Sequence, residues 1–131
     1  MDGPPKSEPS ILVIDDNADA AFSLAMALES LGCTTFAAYG GTEALDAAER
    51  IKPDVVLLDL RMPGMDGFEA CNRIRQLPCA SETIIIAVTG SQDKRDEALA
   101  AQCFAGVFLK PAEAKELKDV IETLWKNRQA D

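Results

Sequence analysis

Four short stretches of this chain carry side chains that could do chemistry together: Asp15-Asp16, Asp59, Thr89 and Lys110, each directly following or closing a short apolar run. The chain contains no histidine, so imidazole is excluded as base, nucleophile or metal ligand, and carboxylates must carry the chemistry. Three carboxylates brought together would repel one another and raise each other's pKa values unless a cation joined them. With oxygen donors alone, a hard ion such as Mg²⁺, or Mn²⁺ in its place, is the natural partner. Lys110 would add a fixed positive charge and Thr89 a hydroxyl, together suited to the oxygens of a tetrahedral anion. A carboxylate can itself act as nucleophile and form an acyl phosphate. The set therefore predicts metal-assisted phosphoryl transfer to one of the aspartates, driven by positioning and charge neutralisation.

The elements that would bring these residues together are legible in the hydrophobic pattern. Ile11-Leu12-Val13-Ile14, Val55-Val56-Leu57-Leu58 and Ile84-Ile85-Ile86-Ala87-Val88 are continuous apolar runs, the signature of strands buried on both faces. Thr34 to Ala38 and Val107-Phe108-Leu109 read as two weaker strands. Between them run five helical patterns. Ala21, Leu24, Ala25, Leu28 and Leu31 recur at helical spacing before Gly32; Ala44, Leu45, Ala48 and Ile51 follow Gly40-Gly41-Thr42 and stop before Pro53. Asp66 reads as the N-cap of a third helix with Ala70, Ile74 and Leu77 inside. A polar, alanine-rich fourth helix spans roughly Gln92 to Gln102, and Leu117, Val120, Ile121, Leu124 and Trp125 stripe the fifth. Alternating strands and helices of this kind imply an α/β doubly wound parallel sheet with helices on both faces. In such sheets the functional crevice lies beyond the carboxyl ends of the strands, where the four polar stretches stand.

Composition narrows the remaining classes. The 131 residues suit one domain, and 47% apolar with 27% charged residues is ordinary for a globular chain. A net charge of −9 disfavours direct binding to nucleic acid or anionic lipid. No apolar run approaches the roughly 20 residues of a membrane span, and nothing hydrophobic precedes Ile11 as a signal peptide would require; a cytoplasmic protein is expected. Residues 1–9 read as a mobile lead-in, 10–127 as the domain and 128–131 as a tail. The four cysteines, Cys33, Cys71, Cys79 and Cys103, show no Cys-x-x-Cys pair and are expected to be small buried hydrophobes without disulfides or metal.

The stretches ILVIDDN, DVVLLDLRMPGMDGFE, Thr89-Gly90 after a strand, and FLKP, in that order and spacing, resemble the response-regulator receiver domains of two-component signalling across nearly the whole chain. The resemblance implies a flavodoxin-like (βα)5 fold with strand order 2-1-3-4-5. It implies Asp59 as the phosphorylated residue, with Asp16 binding Mg²⁺ directly, Asp15 assisting and the backbone carbonyl of Arg61 completing the protein ligands. Thr89 and Lys110 would hold the phosphoryl oxygens, and Pro111 would follow Lys110 through a cis peptide bond. The phosphoryl donor would be a phosphohistidine on a histidine kinase or histidine phosphotransfer protein. The chain would then signal by altered association, either as a single-domain regulator or as the receiver of a hybrid kinase. No turnover of an external substrate is implied.

Some positions depart from the family pattern. Val107, with Phe108 beside it, stands where the family usually has the aromatic ring that moves on phosphorylation, so activation is expected to run differently. Ala112 replaces the aromatic that many dimerising receivers place after Lys-Pro, which leaves the oligomeric state open. Arg61 and Ser91 occupy the two positions that tune phosphoryl lifetime in the family.

Taken singly, the site residues have ordinary readings. Asp15 and Asp16 could cap the first helix, Asp59 could be a turn residue, Thr89 a second cap and Lys110 a solvated charge. Their joint placement at strand ends argues otherwise. Gly64 and Gly67 read as servants of the loop backbone. Three rival functions compete with this reading: a haloacid-dehalogenase-type phosphatase, which would want its nucleophile on the first strand; a flavin-binding module, which would want a Ser/Thr/Gly-rich phosphate loop where Asp15-Asp16 stand; and a degenerate receiver acting only as a binding module.

Overall fold

A computed structural model describes residues 8–101 and 103–129. Most of the lead-in and residues 130–131 of the tail lie outside the described residues, as does Gln102. The chain runs β1 (Ser10–Ile14), α1 (Ala18–Ser30), β2 (Thr34–Ala38), α2 (Gly41–Ile51), β3 (Val55–Asp59), α3 (Gly67–Gln76), a 3-10 turn (Pro78–Ala80), β4 (Ile84–Thr89), α4 (Gln92–Ala101), β5 (Gly106–Leu109) and α5 (Ala114–Gln129). Helix α5 continues two residues past the boundary expected at 127.

The five strands form one parallel sheet in the order β2-β1-β3-β4-β5. Parallel neighbours cannot be joined by a hairpin, so each connection crosses over through a helix. The side-chain alternation of a strand then sorts the apolar runs into two cores. Leu12, Ile14, Val56, Leu58 and Ile85 face α2 and α3, meeting Ala44, Ala47, Ala48, Ala70, Cys71 and Ile74. Ile11, Val13, Val55, Leu57, Ile84 and Ile86 face α1 and α5, meeting Ala21, Leu28, Leu117, Ile121 and Trp125. Residues of β1, β3 and β4 are buried nearly throughout, as their unbroken apolar character requires. Each large aliphatic side chain so buried contributes about 2 kcal/mol before the ordering entropy is set against it.

Register fixes where the polar ends fall. Ile14 pairs with Leu58 and Thr89 with Leu109, so Asp15 and Asp59 leave adjacent strands at the same level, and Lys110 leaves β5 just beyond Thr89. The sheet edge predicted to collect the four stretches does collect them.

One alternative drops out and one expectation fails. Asn17, not Asp15 or Asp16, caps α1, so the two acids are not there as its cap: the Asn17 side-chain oxygen accepts from the Ala20 N–H at 3.1 Å. The cysteines are not four inert hydrophobes, because Cys71 and Cys103 are joined in a disulfide. Cys71 alone is fully buried, whereas Cys33 is half-buried and Cys79 exposed. The pair lies 32 residues apart in sequence; it meets because α3 packs beside the segment leading from α4 into β5, a juxtaposition that cysteine spacing does not reveal. The Asp66 cap of α3 is as expected, its carboxylate accepting from the Glu69 N–H at 2.9 Å.

Candidate functional site

Of the five side chains at the carboxyl edge, Asp15, Asp59 and Thr89 are each held by a backbone N–H two residues on. Asp15 follows the last residue of β1 and is 6% exposed. One of its carboxylate oxygens accepts from the Asn17 N–H at 3.0 Å, which turns the chain into α1. The other accepts from Lys110 Nζ at 3.0 Å. Asp16 points to solvent. Asp59, the last residue of β3, is 7% exposed; its Oδ1 accepts from the Arg61 N–H at 3.2 Å and its Oδ2 lies 3.8 Å from Lys110 Nζ. Carboxylate oxygens of Asp15, Asp16 and Asp59 all fall within 4.8 Å of one another.

The loop behind Asp59 is shaped by glycine. Gly67 opens α3 with its N–H bonded to the Leu60 carbonyl at 3.0 Å. A Cβ there would stand 2.6 Å from Leu60 Cα and 2.8 Å from the Asp59 carbonyl oxygen, so only glycine lets α3 approach the acid's own backbone this closely. Gly64, with φ at +82°, turns the loop before it. Both glycines thus act on the backbone.

Thr89 is fully buried at the end of β4. Its hydroxyl oxygen accepts from the Ser91 N–H at 3.2 Å, and Ser91 in turn caps α4, its own oxygen accepting from the Lys94 N–H at 3.2 Å. The Lys110 N–H donates to the Thr89 carbonyl at 2.7 Å, tying the two strand ends together. The Lys110–Pro111 peptide is cis. Val107 is half-buried and packs with Leu60, Ala87, Ala98, Phe68 and Phe104 rather than among the acids.

The electrostatics follow from this packing. Burial pushes the Asp59 carboxyl up to about 6. The Arg61 N–H opposes that rise, the neighbouring Asp15 charge adds to it, and Lys110 pulls it back. The pocket therefore holds more negative charge than one lysine neutralises. Three carboxylates converging with oxygen donors only, two of them buried, match the donor set of a hard divalent cation.

One participant was not singled out from sequence. Lys94, in α4, lines a cleft of about 450 Å³ with Asp16, Leu60, Arg61 and Asp66 beside the acids. Its ammonium lies 5.6 Å from the Phe68 ring centroid. The signal available was the three-residue step from the Ser91 cap, but a cap three residues before a lysine is too common to point at a site.

The chain matches the family described as the response regulator receiver domain over residues 11–122. It is 39% identical over 108 residues to the DNA-binding response regulator MtrA of Mycolicibacterium paratuberculosis, covering 82% of this chain and 47% of that protein. It is 32% identical over 112 residues to sporulation initiation phosphotransferase F of Bacillus subtilis, covering 86% and 90%. The chain thus spans about half the length of the MtrA proteins it matches and nearly all of the sporulation protein. Among solved structures, the receiver domain of the Pseudomonas aeruginosa sensor histidine kinase PA1611 superposes with a TM-score of 0.79 at 29% identity, covering 89% and 97%. That structure has a magnesium ion coordinated in its active-site cleft. The Francisella response regulator 1452 receiver domain superposes with a TM-score of 0.80 at 27% identity, covering 92% and 99%.

Proposed function

The chain belongs to the response regulator receiver domain family, and from that premise we propose that it accepts a phosphoryl group on Asp59 from a phosphohistidine of a partner protein and signals by a change in association. The observation that carries this reading is the asymmetric setting of the Asp59 carboxylate. Its Oδ1 is anchored by the Arg61 N–H, while its Oδ2 faces the Lys110 ammonium at 3.8 Å.

In this reading Oδ2 attacks phosphorus, the P–N bond to the donor imidazole breaks, and the imidazole leaves with the electron pair and takes up a proton. Asp15, Asp16, Asp59 and the Arg61 carbonyl would hold a Mg²⁺ ion, or Mn²⁺ in its place, which when bound neutralises charge on the transferring oxygens. Lys110 supplies a second positive charge to those oxygens, and the Thr89 hydroxyl, at the same edge, donates to one of them. The reaction runs once per chain until water removes the group, so no external substrate is turned over.

The donor in this reading would be a histidine kinase or histidine phosphotransfer protein, met in the cytoplasm. Among the described residues no helix is long and apolar enough to cross a membrane. The acidic chain itself is not expected to touch nucleic acid, although a DNA-binding output could lie elsewhere in a longer protein. Arg61 and Ser91 flank the site from the Asp59 and Thr89 loops and would tune how long the phosphoryl group survives.

The test is labelling with phosphoramidate, a small P–N donor, in the presence of Mg²⁺. The reading expects up to one equivalent of phosphate that hydroxylamine releases, as an acyl phosphate demands. Hydroxylamine-stable phosphate, or continuous release of phosphate from p-nitrophenyl phosphate, would instead favour a serine or threonine acceptor or a phosphatase.

A further inference from the structure

The receiver chemistry makes no use of the Cys71–Cys103 disulfide, and its surroundings are not symmetrical. Cys71 lies in the middle of α3 and is fully buried, whereas Cys103 sits in the segment between α4 and β5 and is half-buried. A guanidinium stands at the backbone of Cys103. Arg75 is one helical turn after Cys71 on the same face. It donates to the Cys103 carbonyl at 3.2 Å and to the carbonyls of Thr83 and Ala80. A fixed positive charge next to a cysteine favours its thiolate, the form that attacks and leaves in exchange reactions.

From this placement we propose that Cys71 and Cys103 form a reversible thiol–disulfide switch, opened and closed by small thiols and disulfides through Cys103. In closing, the Cys103 thiolate attacks one sulfur of a small disulfide, giving a mixed disulfide and releasing one small thiolate. The Cys71 thiolate then attacks Cys103 Sγ and the second small thiolate leaves. Two protein thiols are oxidised and one small disulfide is reduced, the two protons lost by the protein thiols being taken up by the two departing small thiolates to give two thiols. Opening runs the same steps backwards, with the incoming thiolate attacking Cys103 and Cys71 as the leaving group. Only Cys103 offers the attacking molecule a line of approach, because Cys71 is covered on every side.

Closure pins the chain at the entry to β5 onto α3. Phe104, next to Cys103, stacks edge-on against Phe68 with ring centroids 5.8 Å apart, and Ala105 donates to the Ile85 carbonyl at 2.8 Å. Opening the bond leaves those weaker contacts and the Arg75 bond to the Cys103 carbonyl to hold the chain ahead of the β4–β5 pairing, so residues 103–105 become the part of the molecule whose order follows the redox state. This inference does not depend on Asp59 being phosphorylated.

The test treats the fully reduced chain with oxidised glutathione, alkylates what remains, and maps the peptides by mass. Wild type is expected to yield the Cys71–Cys103 cross-linked peptide with no glutathione retained on either residue. Cys71→Ser should keep one glutathione on Cys103, while Cys103→Ser should leave Cys71 unmodified. Oxidation should raise Tm by on the order of 10 °C and slow amide exchange across 103–105 by at least about tenfold. Cys71 and Cys103 both remaining alkylatable in wild type would overturn the switch. Cys71 in the Cys103→Ser variant being glutathionylated as fast as Cys103 in the Cys71→Ser variant would overturn Cys103 as the point of attack. Should the variants fail to fold, an early time point on wild type decides the same question: the transient adduct must sit on Cys103, and one on Cys71 contradicts the proposal.

Discussion

Lys110 and Asp15, 95 residues apart in sequence, meet through a 3.0 Å bond between Nζ and Oδ2, with the second acid of the pocket, Asp59, 3.8 Å from the same nitrogen. One ammonium therefore serves two buried carboxylates, and it both screens the acids from each other and competes with any cation they would bind. Replacing it should separate these roles. Lys110→Ala is expected to tighten Mg²⁺ binding by about 3- to 10-fold, because a repelling charge leaves the cluster. Labelling of Asp59 by acetyl phosphate should nevertheless slow by at least about tenfold. Calorimetric titration and a labelling time course measure the two effects; a loss of both together would mean that Lys110 only holds the loop in shape.

Asp59 makes a prediction about pH. Its carboxyl is raised from 3.8 to about 6, chiefly by burial. Between those values the folded chain keeps a proton that the unfolded chain has lost, so stability falls as pH rises through that window and the full cost is present above it. Asp59→Asn removes the charge. In EDTA at pH 7.5 the variant should melt roughly 5 °C above wild type, and the difference should vanish by pH 4. An equal difference at both pH values would show that burial of the charge is not its source.

Asp16 differs from its two partners in being exposed. Asp16→Ala should change metal-free stability by less than about 0.5 kcal/mol, as surface substitutions do. It should weaken Mn²⁺ binding, followed by electron paramagnetic resonance, by at least about tenfold. Unchanged binding would leave Asp15 and Asp59 as the only side-chain ligands.

Gly67 tests the backbone support of the acceptor. Gly67→Ala drives a methyl group into the Leu60 backbone at 2.6 Å, and the shift required is expected to cost about 2–4 kcal/mol in chemical denaturation. Gly40→Ala, where nothing lies within 4 Å, should be within about 0.5 kcal/mol of wild type. Similar losses for both would mean that the close approach to Leu60 is readily relieved.

Site location was legible because β1, β3 and β4 are unbroken apolar runs, and a strand buried on both faces that stops at an acid announces its own end; the strand order followed from the family resemblance, not from the pattern. What was not legible depended on atoms of distant or competing neighbours. Which of Asp15, Asp16 and Asn17 caps α1 is decided by the turn that sends the Asp15 carboxylate back to the Asn17 N–H, and all three are good cap residues by type. The Cys71–Cys103 bond needed α3 and the approach to β5 to lie side by side. The need for glycine at 67 is set by Leu60, seven residues earlier, across a loop whose path the sequence does not give.

The central claim is that Asp59 is the phosphoryl acceptor, and intact mass after incubation with acetyl phosphate and Mg²⁺ tests it most directly. Wild type should gain one phosphoryl group, absent in EDTA, and Asp59→Asn should gain none. An adduct of equal extent on both proteins, or none on wild type even at early times, would contradict the account.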